Sequence, residues 1–124
     1  MSGLPAAIAV VEQRIDRAEL ARLVAGTFGD MVKLVVDLER RLIAVGGELH
    51  ADAEQVLLEA GSRQADLWGA NYFPGRGSDD CIEYTALINI RPAQDNRSME
   101  VADPALREKI RTLVFDLIGQ GEAI

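Results

Sequence analysis

Apolar and polar residues alternate along parts of this chain in the pattern of short β-strands. A short apolar run over 8–13 predicts a first strand, and the segments 66–73 and 81–91 predict two later ones. Between these two, the segment 74–80 has the composition of a turn, with two glycines, a proline and two aspartates. Along 81–91 the residues of the apolar face are Ile82, Tyr84, Ala86, Ile88 and Ile90.

Helical spacing of apolar residues predicts three helical segments. They extend from Asp16 to Gly29, from Asp52 to Gly61 and from Asp103 to Gly119. Each begins at an aspartate, which is typical of an N-cap, and each ends at a glycine, which is typical of a C-terminal end. Pro104 at the first helical position supports the start of the last helix.

The segment 30–45 fits two patterns. As a helix, it would present one apolar stripe and end at Gly46. As a hairpin, its apolar residues would alternate with the others and turn at 39–41. The β-branched residues Val32, Val35 and Val36 favour the hairpin.

The resulting order of elements, roughly β-α-β-β-α-β-β-α, predicts an α+β fold. We expect a single domain over 1–124 with its ordered core at about 8–119, because no repeat or interdomain linker interrupts the pattern. The fold should contain about five strands in a mainly antiparallel sheet, with three helices on one of its faces.

The composition indicates which class of partner and which cellular compartment fit this chain. The formal net charge of −7 argues against a nucleic-acid partner, since binding to phosphate backbones needs excess positive charge. Cys81 is the single cysteine, which excludes an internal disulfide and fits a reducing cytoplasm. The N-terminal stretch lacks the basic start of a signal peptide, and no segment has the ~18 to 20 apolar residues of a membrane span. We therefore expect a cytoplasmic protein that has no membrane partner.

The first candidate site surrounds the only histidine. In an extended stretch, Glu48, His50 and Asp52 would point to one side. One imidazole and two carboxylates could hold a divalent metal, or a carboxylate could orient the ring as a general base. These three are the candidate catalytic residues. The structural alternative is that Asp52 and Glu54 occupy a helix N-terminus, where carboxylates are favourable without any catalytic role.

The second candidate site is a polar stretch that contains two arginines. Their guanidinium groups could clamp a carboxylate or phosphate, which predicts an anionic small molecule as partner. The structural alternative is that the arginines pair with carboxylates and the other side chains hold the loop. The candidate ligand-binding residues are Asn89, Arg91, Asn96, Arg97 and Ser98. Asn89 and Arg91 should leave the strand predicted over 81–91 on its non-core face.

A third cluster adds Trp68 and Asn71 to the candidate ligand-binding residues. Three of the six aromatic residues lie within 68–73, which predicts core packing or the contact of a homo-oligomer. A homodimer would require an exposed apolar patch that includes Trp68, Tyr72 or Leu87. Gly69 leaves room for close approach of another backbone or a ligand. Common nucleotide, hydrolase and metal motifs are absent, so the sequence leaves any cofactor undetermined.

Several sequence runs, taken together, resemble a family of small prokaryotic proteins catalogued as a domain of unknown function. The runs are 32–39, 46–54, 61–62, 66–71, 88–92 and 96–98. The resemblance implies a standalone, single-domain cytosolic protein, and it supplies no activity, cofactor or catalytic residue.

Two hypotheses about function follow. The first is a binding module for an anionic small ligand or a protein partner, whose surface joins the His50 turn to the loop containing Arg91. The alternative is a small hydrolase-like enzyme in which His50 acts with Glu48 or Asp52 and an arginine holds an anionic substrate. The enzyme hypothesis requires the histidine and an arginine to face one cleft. A third possibility is a purely structural interaction protein with the 68–73 strand at its interface.

Overall fold

A computed structural model describes residues 6–124 and has a five-stranded antiparallel sheet with three helices. The strands are β1 (Ile8–Val11), β2 (Val32–Asp37), β3 (Leu42–Gly46), β4 (Leu67–Tyr72) and β5 (Ile82–Glu83), in the order β1-β3-β2-β4-β5. The helices are α1 (Arg17–Ala25), α2 (His50–Glu59) and α3 (Pro104–Leu117). Short 3₁₀ turns lie at Gln64–Asp66, Leu87–Asn89 and Pro92–Gln94. The predicted α+β class, antiparallel sheet and approximate element order are confirmed.

Helices cover both faces of the sheet, so the expectation that they lie on one face is wrong. Helices α1 and α3 pack on one face, where they share a core with Leu34 and Val36. Helix α2 packs on the other face against Val35 and Ala44. Because β2 and β3 are apolar and buried at nearly every position, both of their faces need a covering layer.

The hairpin predicted for 30–45 is confirmed as β2 and β3, and a buried carboxylate holds its turn. Oδ1 of Asp37 accepts hydrogen bonds from the backbone N–H groups of Glu39 (3.0 Å) and Arg40 (2.9 Å). Its Oδ2 accepts one from the Ser62 hydroxyl at 2.6 Å. These three hydrogen bonds stabilise the buried Asp37 carboxylate and fix the position of the β2–β3 turn.

Two of the three predicted N-caps are confirmed. Asp16 accepts from the backbone N–H of Glu19 at the start of α1, and Asp103 does the same for Ala105 at the start of α3. Helix α1 ends at Ala25, before the predicted Gly29, whose N–H closes the helix end by donating to a carbonyl of the last turn. Within 6–124, no helix has both the length and the apolar character needed to cross a membrane.

The strand predicted over 81–91 is mostly wrong, since β5 contains only Ile82–Glu83. Beyond it the chain crosses the α2 face of the sheet above Gly69. A Cβ at Gly69 would lie 2.5 Å from Cβ of Ala86 and 3.2 Å from Cδ2 of His50. The role predicted for Gly69, close approach of another segment, is therefore confirmed.

We expect Gly69→Ala to destabilise the protein by about 1–3 kcal/mol, because the added methyl group overpacks this contact. Urea unfolding of the single variant measures the loss. The matched test is the double variant with Ala86→Gly, which removes the nearest atom and should recover part of that loss. Equal stability of Gly69→Ala and wild type would contradict the packing argument.

Candidate functional site

His50 is the first residue of α2, and its ring is fixed against the sheet. The side chain is 8% exposed, and Nε2 lies 2.8 Å from the carbonyl oxygen of Ala70. Because a carbonyl only accepts, Nε2 carries the hydrogen, and the neutral ring keeps a lone pair on Nδ1. Asp52 was predicted as the N-cap of this helix, which is wrong: Leu49 occupies that position and provides no side-chain cap.

The surroundings of His50 favour the neutral ring. Burial lowers its pKa from the ordinary value of 6.5, and the positive charge of Lys33 lowers it further. Hydrogen bonding of the protonated ring to the Ala70 carbonyl and to the Asn71 side chain raises the pKa, which opposes this shift but does not reverse it. At neutral pH, Nδ1 is therefore a hydrogen-bond acceptor.

The residues predicted to be catalytic do not converge. The helix begins at His50, and residues two apart on a helix point about 200° apart, so Asp52 turns away from the ring. Glu48 is exposed but lines the same cavity as His50, which Asp52 does not. Within the described chain, no three His, Cys, Asp or Glu side chains are placed to hold a metal ion. The shared-metal hypothesis therefore lacks a ligand set.

His50 lines a cavity of about 440 Å³ at the N-terminal end of α2, which we call the α2 pocket. Its walls come from β2, β4, the start of α2 and the segment that crosses above Gly69. The polar residues of the pocket are Lys33, Glu48, His50, Asn71 and Thr85. The large apolar residues at its mouth, all exposed, are Phe28, Leu49, Leu87 and Met99.

Asn71 has a buried acceptor that no protein group uses. The side chain is 8% exposed, and its Nδ2 donates to Oε1 of Glu83 (3.2 Å) and to the carbonyl of Thr85 (3.5 Å). Both partners only accept, which fixes the orientation of the carboxamide. Its Oδ1 has no hydrogen-bond partner within residues 6–124. Lys33 is the cross-strand partner of Asn71, so both side chains lie on the same face.

The asparagines of the predicted ligand-binding loop are structural. Asn89 is fully buried, and its side chain accepts from Gly69 N–H (2.8 Å) and donates to the Gly69 carbonyl (3.0 Å). Asn96 donates to the carbonyls of Asn89, Ser98 and Glu100. The hydroxyl of Ser98 bonds to Glu100. The prediction that Asn89 leaves a strand on the non-core face is wrong, because it replaces the strand partner that β4 lacks there.

The two arginines of that loop do not line the α2 pocket. The guanidinium of Arg91 donates to the carbonyls of Gln64 and Leu67 and lies 4.0 Å from the centre of the Trp68 ring. Burial lowers the pKa of Arg91, and a nearby carboxylate opposes that shift. Arg97 is exposed. The predicted anion clamp is therefore not assembled around His50.

Trp68 and Asn71 lie on opposite faces of the sheet. Trp68 lines a different cavity of about 630 Å³ beside α3 and the β2–β3 turn. Trp68 and Tyr72 are both buried, which places them in the core. Of the apolar residues expected at a homo-oligomer contact, Leu87 is the one that is exposed, at 71%.

Residues 9–117 match the model of the family DUF5674, described as a protein of unknown function. The chain belongs to this family. The match extends from β1 to the end of α3 and includes every residue of the α2 pocket. No curated protein and no solved structure was found to match. The predicted resemblance to a family of unknown function is thus confirmed.

Sequence reasoning about this DUF5674 chain missed most of the α2 pocket. The hairpin predicted for 30–45 gave Lys33 no functional role, and Phe28 and Leu87 were expected in a helix and at a dimer contact rather than around a cavity. One signal was available: Leu49 precedes the helix at the position where a polar capping residue is expected.

We expect Asn89→Ala to cost at least about 2 kcal/mol, because the N–H and C=O of Gly69 would both lose their partner in a buried position. Chemical denaturation measures this. Arg97→Ala is the matched loop control and should change stability by less than about 0.5 kcal/mol. A ligand-binding rather than structural role for Asn89 would give a stable variant instead.

Stability should fall below neutral pH because of His50. Its folded pKa lies below 6.5, so the unfolded chain binds the proton more readily. This contribution to stability is complete above about pH 6.5 and is lost as pH falls through that value toward the folded pKa. In His50→Gln, which keeps an N–H donor for Ala70, unfolding free energies measured between about pH 7 and pH 5 should fall less steeply than in wild type. Identical slopes would exclude this effect of burial.

Proposed function

We propose that the chain binds a small molecule in the α2 pocket, with the polar group of the ligand at Asn71 and His50 and its apolar body at the mouth. The unpartnered Oδ1 of Asn71 is the observation that carries the proposal. A buried acceptor without a partner costs about 1–3 kcal/mol, and nearly all such atoms in folded proteins are bonded. A ligand that donates a hydrogen bond would remove this cost.

The mouth of the pocket supports the same proposal. Seven large apolar side chains are exposed in the described chain, and four of them line this one cavity. Scattered exposed apolar residues need no explanation, whereas a cluster around a concave site with a polar floor is typical of ligand binding. The cavity volume of about 440 Å³ also lies within the usual range for small-molecule sites.

The charge of the ligand is a separate question from its binding. The prediction of an anionic ligand depended on Arg91 and Arg97, which lie outside the pocket. Lys33 lines it, but the carboxylate of Glu83 lies close enough to offset part of that charge. We therefore propose an amphipathic ligand without requiring it to be anionic.

Catalysis is the second candidate function. The ring of His50 is held by Ala70 through Nε2, which leaves Nδ1 as a lone-pair base beside a cavity. The lowered pKa of His50 makes that base weak, and no arginine of the loop would hold the substrate. In such an enzyme, Glu48 is the carboxylate at the mouth of the same pocket.

The compartment and the oligomeric state are also proposals. The free thiol of Cys81 is buried, which fits a reducing cytoplasm. Leu87 and the neighbouring apolar residues would contribute to a homodimer contact if two copies met at the pocket mouth. A protein that is monomeric at micromolar concentration by sedimentation would contradict the dimer.

A fragment screen by protein-observed NMR tests the binding proposal. Hits should shift the amides around the α2 pocket, and Asn71→Leu should abolish these shifts in a protein whose NMR spectrum is still that of the folded chain. Removal of the unsatisfied acceptor offsets part of the cost of the two hydrogen bonds that Nδ2 donates to Glu83 and Thr85. Leu87→Ser should weaken the hits, whereas Ile90→Ser is the matched control, because Ile90 is exposed but does not line the pocket. Hits confined to the cavity beside Trp68, or undiminished in Asn71→Leu, would contradict the proposal.

A further inference from the structure

The floor of the α2 pocket offers two acceptors whose orientation the protein fixes. Asn71 points Nδ2 at Glu83 and Thr85, which leaves Oδ1 for a ligand. His50 uses Nε2–H at Ala70, which leaves Nδ1. The carboxamide of Asn71 cannot flip, and the neutral ring of His50 cannot change tautomer, without losing a hydrogen bond in a buried position, so both select a ligand that donates.

One donor lies beside these acceptors. Lys33 is paired with Asn71 across β2 and β4, lines the same pocket and carries three N–H donors. Its ammonium lies 5.2 Å from the centre of the Phe28 ring, near the mouth. The polar wall therefore combines two acceptors with one adjacent donor.

The charges around the pocket disfavour a charged polar group on the ligand. Lys33 repels a cation, and the lone pairs of Asn71 and His50 repel an anion at the floor. Glu83 also faces Lys33 and Asn71 from β5, and Glu48 lies at the mouth, so the positive charge of Lys33 is balanced. A buried charged group without a dedicated partner would be unfavourable here.

Given the proposed function, on which this inference rests, we propose that the ligand carries an uncharged carboxamide. Its N–H groups would donate to Asn71 Oδ1 and His50 Nδ1, and its carbonyl oxygen would accept from Lys33. A carboxamide is the simplest group that matches two acceptors and one donor within a small area. Specificity follows because an analogue without the N–H groups leaves the two acceptors unpaired.

Three probes of the same shape test this: benzamide, benzoate and acetophenone. Titrations followed by NMR shifts of the pocket amides should give benzamide the tightest binding, by about tenfold over each of the others, the factor that corresponds to a net hydrogen-bond contribution of usual size. In Asn71→Leu, benzamide should bind no better than acetophenone. Leu87→Ser is the matched variant, which should weaken the three probes together and preserve their ratio.

The possible results separate the two proposals. If benzoate or acetophenone binds in the pocket as tightly as benzamide, the carboxamide inference is overturned while the pocket remains a binding site. If no probe shifts the pocket amides, the carboxamide inference is overturned, and the fragment screen decides separately whether the pocket binds anything. Preference for benzamide that persists in Asn71→Leu also overturns it.

Discussion

The hydrogen bonds between the Asn89 side chain and the backbone of Gly69 are the contact on which the candidate site depends. The outer edge of β4 has a strand partner only near Tyr72, because β5 is two residues long. Asn89 satisfies the N–H and C=O of Gly69 as a neighbouring strand would. These hydrogen bonds hold the segment 85–88, which precedes Asn89, above the sheet. The segment forms one wall of the α2 pocket there. Without a glycine at position 69, the two layers could not meet so closely.

Three buried asparagines show how structural and functional polar groups differ in this protein. The side-chain oxygen and nitrogen of Asn89 and Asn96 are all hydrogen-bonded to backbone groups. Asn71 is also buried, yet its side-chain oxygen has no partner among the described residues. Folding alone would select against that arrangement, as it would against four large apolar side chains exposed around one cavity. Both features are unfavourable in the isolated chain, and one bound molecule would relieve both.

Sequence patterns that extend over a few residues predicted those parts of the fold that depend on interactions between neighbouring residues. The valines of β2, the Asp16 and Asp103 caps and the terminal glycines were sufficient to place the hairpin and two of the helices. The alternation over 81–91 failed, because a side chain rather than a strand satisfies the sheet edge, and periodicity carries no information about that. For the site, the sequence singled out His50 and Asn71, but it grouped them with Arg91, which donates to backbone carbonyls, and with the exposed Arg97, neither of which lines the pocket. Which residues share a cavity depends on the two faces of the sheet, and this is a long-range property.

The hydrogen-bond partner of the His50 ring helps to distinguish a binding role from a catalytic role. A carboxylate hydrogen-bonded to an imidazole stabilises the imidazolium that forms when the other nitrogen takes a proton. Here a neutral backbone carbonyl holds Nε2, and both burial and Lys33 act against the protonated ring. Proton uptake at Nδ1 is therefore disfavoured by the same surroundings that hold the ring in place. These surroundings suit a histidine that accepts a hydrogen bond without becoming protonated. They therefore favour a role for His50 in ligand binding over a role as a general base.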